Sequence, residues 1–182
     1  MSNQEKVDYK VDATGTMRPT SNVKPLVDQM HELDRVREML DAAWCGALIA
    51  SLFKQNEWLD SFTLDLEATA EHDDHGGSYR SISLNVRQVK ARAVKELPES
   101  VVDEGQFCED MAQDLLEQSL EDENYAIYST LVDDGVFEEL SLTFERKEIS
   151  DLLGEPELSG RDAFLRLFPE YENLIKTVSD RY

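Results

Sequence analysis

The hydrophobic period of this chain switches back and forth between helical and alternating. That confines it to a fold in which helices cover antiparallel strands. From Pro25 the apolar residues Leu26, Met30, Leu33, Val36, Leu40, Ala43, Ala47 and Ala50 recur at helical spacing. Proline suits the first turn of a helix, and the pattern extends to about Leu59, with Gly46 as the place where it can split. The first half is amphipathic, with Asp28, Glu32, Asp34, Glu38 and Asp41 mostly off the apolar stripe. The second half, Ala42–Phe53, is apolar nearly all round. Such a helix must be covered on every side, so it threads a core or forms a subunit interface. Its twelve residues are short of the roughly 20 that span a bilayer.

At Phe62 the period becomes two. Phe62, Leu64, Leu66, Ala68 and Ala70 alternate with Thr63, Asp65, Glu67 and Thr69. Beyond His72–Gly77, Ile82, Leu84 and Val86 alternate with Ser83, Asn85 and Arg87. This predicts a β-hairpin with one wet face, on which Asp65 and Glu67 meet Arg87. Leu97–Pro98 ends the strand. Ser100 or Asp103 then caps a helix with Phe107, Met111, Ala112, Leu115, Leu116 and Leu120 on its inner stripe, ending near Glu123–Asn124. A second hairpin is expected from Tyr125–Val132, the turn Asp133–Asp134–Gly135, and Val136–Glu145, because Asp-Gly is a strong hairpin signal. Ser159-x-x-Asp162 resembles a capping box and opens the last helical part, which Pro169 kinks.

The expected class is α+β: an antiparallel sheet built from two β-hairpins, each preceded by a helix, packed on a long N-terminal helix and C-terminal helices. Residues 1–24 read as a mobile polar arm, with Val7–Tyr9–Val11 as its one hint of a strand. Residues 25–182 read as a single domain, within which 96–145 form one helix–hairpin unit.

That unit carries most of the charge. Glu96–Glu145 contains sixteen Asp or Glu and no Lys or Arg, and so supplies -16 of the chain's net -21. Asp110, Asp114, Glu117 and Glu121 fall on one side of the predicted helix, spanning about 16 Å at its rise per residue. Glu104, Glu109, Asp122 and Glu123 flank them, and Asp133, Asp134, Glu138 and Glu139 extend the charge into the hairpin. Like charges at i, i+4 destabilise an isolated helix by a few tenths of a kcal/mol. Local stability therefore gives no reason for the pattern, and a cause outside the helix is the more economical one. Salt adaptation would spread acids over the whole surface, whereas this excess is regional. A face serving only solubility is the bland alternative.

Charge of this sign opposes binding to nucleic acid or anionic membrane and favours a basic protein partner. His72, Asp73, Asp74 and His75 offer metal-ligand chemistry, but adjacent ligands on a turn rarely close round one ion. A polar turn is the simpler reading. The chain has no Gly-rich phosphate loop, no His-Glu-x-x-His, no Cys-x-x-Cys and no Gly-x-Ser-x-Gly. Neither an enzyme nor a cofactor is expected. Cys45 and Cys108 read as reduced core thiols, Trp44 as core, and Trp58 as core edge or interface anchor. With no apolar stretch at the N-terminus, a cytoplasmic location is expected.

Two functions follow from different classes. One is a nucleic-acid mimic whose carboxylates occupy the basic groove of a nucleic-acid-binding protein. Its test is reversal of Asp114 and Glu117 to lysine. The other is a small acidic chaperone or adaptor that binds a client through apolar surface. In charge and size the chain looks like the acidic inhibitors by which phages and plasmids disarm host DNA-binding or RNA-guided enzymes, the anti-restriction and anti-CRISPR kind. It also looks like small secretion chaperones. Both likenesses are compositional. The apolar second half of the first helix suggests a homodimer.

Overall fold

The computed structural model describes residues 9–11, 13–14, 16–19, 23–72 and 77–176. The chain divides into two compact units, Met1–Leu40 and Asp41–Tyr182. In the first, β1 (Tyr9–Val11) pairs antiparallel with β2 (Met17–Pro19), Val11 lying opposite Met17. The strand hint at Tyr9 and Val11 is thus realised, while Val7 lies outside the described residues. Helix α1 (Val23–Gln55) starts in this unit and runs on without a break at Gly46.

In the second unit the first hairpin forms as expected, from β3 (Leu59–His72) and β4 (Ser78–Ala91). A short hairpin follows, β5 (Val102–Asp103) with β6 (Gln106–Phe107). Glu104 and Gly105 make its turn with φ of 48° and 82°, the left-handed pair that a tight two-residue hairpin requires. Ser100 and Asp103 therefore do not cap the next helix. Ser100 lies in a 3₁₀ turn, Asp103 pairs with Gln106, and α2 (Glu109–Leu120) begins later, with Cys108 at its N-cap.

The second expected hairpin is not there. Residues 121–123 form a 3₁₀ turn, and α3 (Asn124–Leu131) stands where the strand Tyr125–Val132 was expected. Tyr, Ile and Thr favour strands only where a pleated, half-buried surface receives them. Here Ile127 and Tyr128 are buried and Leu131 half-buried, and i, i+1, i+4 is helical spacing. The turn signal itself is sound: Asp133–Asp134–Gly135 reverses the chain, with Gly135 at φ 83°. The strand beyond it, β7 (Glu139–Glu145), lacks a local partner and pairs antiparallel with β3. The sheet order is β4–β3–β7, one hairpin plus one added strand rather than two hairpins. The α+β class and the antiparallel sheet stand. As the central strand, β3 buries Ser61 and Thr63 as well as its apolar face, and the Thr63 and Thr143 hydroxyls hydrogen-bond across strands at 3.0 Å.

Beyond β7, α4 (Gly160–Leu167) is capped by Ser159, whose Oγ accepts the Asp162 N–H at 3.3 Å. Pro169 opens a 3₁₀ turn, and α5 (Asn173–Lys176) follows. Gly46 and Gly160 show why α1 is not split: a Cβ on Gly46 would overlap the Gly160 carbonyl and the Phe164 backbone, and one on Gly160 would overlap the Ala43 carbonyl. The two glycines let α1 and α4 touch backbone to backbone.

An aromatic chain ties the core together. Ring centroids lie 5.7 Å apart for Phe53 and Phe62, 5.2 Å for Phe62 and Phe144, and 5.1 Å for Phe144 and Phe168. α1, β3, β7 and the end of α4 are joined in that order. Arg146, buried beside this chain, donates Nη1 to the Phe53 carbonyl at 2.6 Å, in the last turn of α1, where a cation is favoured by the helix dipole. Trp58 is core, but Trp44 is 37% exposed and so is not the core residue expected. No helix among the described residues is long and apolar enough to cross a membrane.

Candidate acidic interface

The acids singled out from the sequence separate into groups once folded. Glu109, Asp110, Asp114 and Glu117 lie on α2, and Glu121, Asp122 and Glu123 on the 3₁₀ turn that continues it. Asp110, Asp114, Glu121 and Asp122 are exposed and make no ion pair among the described residues. Glu117 differs. It is half-buried, and its Oε1 accepts the Val86 N–H at 2.8 Å. Asn124 Nδ2 donates to the Ile82 carbonyl, also at 2.8 Å. β4 is an edge strand, and a strand edge presents unpaired backbone groups. Glu117 and Asn124 satisfy two of them, so Glu117 is part of the fold before it is part of any surface.

Asp114, Glu117 and Glu121, with Gln118 and Asn124, line a cleft of about 700 Å³ against Ile82, Ser83 and Leu84 of β4. Ser83 also lines a second hollow, of about 420 Å³, on the wet face of the sheet, with Asp65, Glu67, Arg87 and Glu139 around it. The two hollows meet at Ser83. In the second, Asp65 pairs with Arg87 and accepts the Ser141 hydroxyl at 2.7 Å. Glu67 does not meet Arg87 as the alternation suggested. It lies directly opposite Glu139 in the β3–β7 register, and both are exposed. Like charges placed opposite across strands are unfavourable.

Asp133 and Asp134 sit on the α3–β7 turn, which is held by a base from outside the acidic window. Arg80 packs over the rings of Tyr125 and Tyr128, 5.5 and 5.2 Å from their centroids. It donates to the carbonyls of Asp133 and Val136 at 3.4 Å and pairs with Asp134 at the same distance. Asp134 is 96% exposed, and pairs so exposed contribute little. Arg80 therefore shapes the turn more than it neutralises it. Glu138 is exposed, with its backbone N–H given to the Tyr128 hydroxyl at 2.8 Å. Glu104, in the β5–β6 turn, lines neither hollow.

Folding thus brings Asp114, Glu117 and Glu121 together and sets Glu139 beside Glu67. Asp133, Asp134 and Glu138 form a third group on the turn. Glu67 lies outside the basic-free window, and only the β3–β7 pairing reveals it. His72 ends β3 and is exposed, while Asp73, Asp74 and His75 lie outside the described residues. Among the described residues no three His, Cys, Asp or Glu side chains group as metal ligands do. No family model, no curated protein and no solved structure matches the chain.

Proposed function

We propose that this chain is a non-enzymatic binding protein whose acidic surface occupies the basic, nucleic-acid-binding groove of a target protein. The observation that carries the reading is the pair of hollows meeting at Ser83. Exposed carboxylates from α2, β3 and β7 line them, and Arg87, the cation among the lining residues, is engaged by Asp65. Four strands and helices position these groups, so the anionic surface has a shape and is not a tail. The Glu67–Glu139 opposition costs the free molecule stability, and a cation arriving from a partner would relieve it. A groove built for phosphates offers Arg and Lys, which pair with carboxylates as they do with phosphates.

Glu117 is unsuitable for charge reversal because it holds Val86. The test pair is Asp114→Lys with Glu121→Lys, both exposed. Capture of basic proteins by the immobilised chain is expected to fall steeply with salt. It is also expected to weaken at least about tenfold in the double variant, since like-charge juxtaposition across an interface costs several kcal/mol. Capture that survives both would overturn the reading. A second reading, a chaperone or adaptor, is favoured by one observation, the exposed apolar residues on α1. It predicts capture indifferent to salt and to these two reversals.

A further inference from the structure

We propose that the N-terminal part of α1 is a self-association seam, packing antiparallel against the same segment of a second copy of this chain. Leu26 is 47% exposed, Met30 63%, Leu33 68%, Val36 42% and Leu40 65%. These side chains lie on one helix in the first unit. Leu26, Leu33 and Leu40 recur at every seventh residue, and Met30 and Arg37 fall between them at the alternating four-three spacing. That is the a/d pattern of a two-helix seam, in which each apolar knob enters a hole formed by four residues of the facing helix. A contiguous apolar stripe left in water marks an interaction surface.

The pattern also indicates what covers it. Knobs-into-holes packing needs the same repeat on the partner, and a second copy supplies it by a self-complementary, twofold contact. Charge permits the match. Residues 23–40 carry Asp28, Glu32, Asp34 and Glu38 against Lys24, Arg35 and Arg37, close to neutral, whereas two copies of the basic-free window would repel. Area permits it as well. The five exposed side chains present roughly 500 Å² per copy, which brings a pair to about the 1,000 Å² that a specific interface needs. Arg37 sets the direction. In a parallel pair it would face its own copy, an arginine against an arginine. In an antiparallel pair it lies against Leu33 of the other copy, beside Asp34, while Met30 lies against Leu40.

This seam shares no residue with the acidic surface, and its test is separate. Light scattering on the full chain during size exclusion is expected to give twice the 20.8 kDa chain mass. The Leu33→Asp/Leu40→Asp variant is expected to lose the doubled mass while its far-ultraviolet dichroism stays helical. Chains with Met30→Cys mixed with chains with Leu40→Cys are expected to cross-link to each other, which keeps the test open even if the double aspartate variant unfolds. Several results would overturn the proposal: monomer mass at every loading concentration, a doubled mass that survives the aspartates, or a purified monomer whose α1 face captures a different protein. Cross-linking of each cysteine variant with itself would overturn the antiparallel direction.

Discussion

Glu117 is the residue where position on a helix and role in the molecule part company. Helical spacing puts it in the same stripe as Asp110, Asp114 and Glu121, and that much is readable from the sequence. What lies beside the stripe is not, because it depends on where the edge of β4 comes to rest. In the fold, Glu117 accepts the Val86 N–H. Glu117→Ala should lower stability by about 1–3 kcal/mol, the cost of a backbone donor left without its partner. Glu117→Gln, which keeps an acceptor, should lose less. Urea denaturation midpoints decide it, and equal losses for the two variants would contradict the assignment. Cys45 was legible as a core thiol, since it stands in an apolar helical run, and burial pushes its thiol up to about 12. Only the thiolate reacts readily. Iodoacetamide at neutral pH should therefore leave Cys45 unmodified in the folded chain and label it in denaturant, as peptide mass spectrometry would show. Glu67 was missed as part of the acidic surface for a similar reason to Glu117: its neighbour Glu139 comes from a strand distant in sequence.

Among the elements, those with a strong period and a local partner were legible. α1, the β3–β4 hairpin, the inner stripe of α2 and the Ser159 cap all follow from spacing and turn chemistry. The segment after α2 was not, because Tyr125–Leu131 is rich in residues that suit a strand or a helix. What decided it was burial of Ile127 and Tyr128. Tyr128 then does the work that a hairpin partner would have done. Its buried hydroxyl accepts the Glu138 N–H at 2.8 Å and donates to the Glu138 carbonyl at 3.0 Å, bracing the entry to β7. Tyr128→Phe should reduce stability by about 1–3 kcal/mol and speed amide exchange at Glu138 while leaving the centre of β7 protected. Unchanged exchange at Glu138 would show that the hydroxyl is not the brace. The apolar second half of α1 was expected to thread a core or form a subunit interface, and most of it is buried in its own unit, while the first half carries the exposed leucines.

For the whole molecule, the basic-free window accounts for most of the net charge of -21, and folding decides what that charge can do. The inner sides of α2, α3 and β7 are ordinary core. α2, the turn after it, β3 and β7 place carboxylates around two hollows that share Ser83. Polymer-like acidity would respond to any cation, whereas a shaped surface selects a partner whose positive groups match it. The central claim is that this partner's groove is the one it uses for nucleic acid. The measurement that tests it most directly is capture by the immobilised chain, at fixed salt, with and without added double-stranded DNA or single-stranded RNA. The account predicts that a bound basic protein is released by the polyanion, and is not captured by the Asp114→Lys/Glu121→Lys variant. Capture that is indifferent to polyanion and to that variant would contradict it.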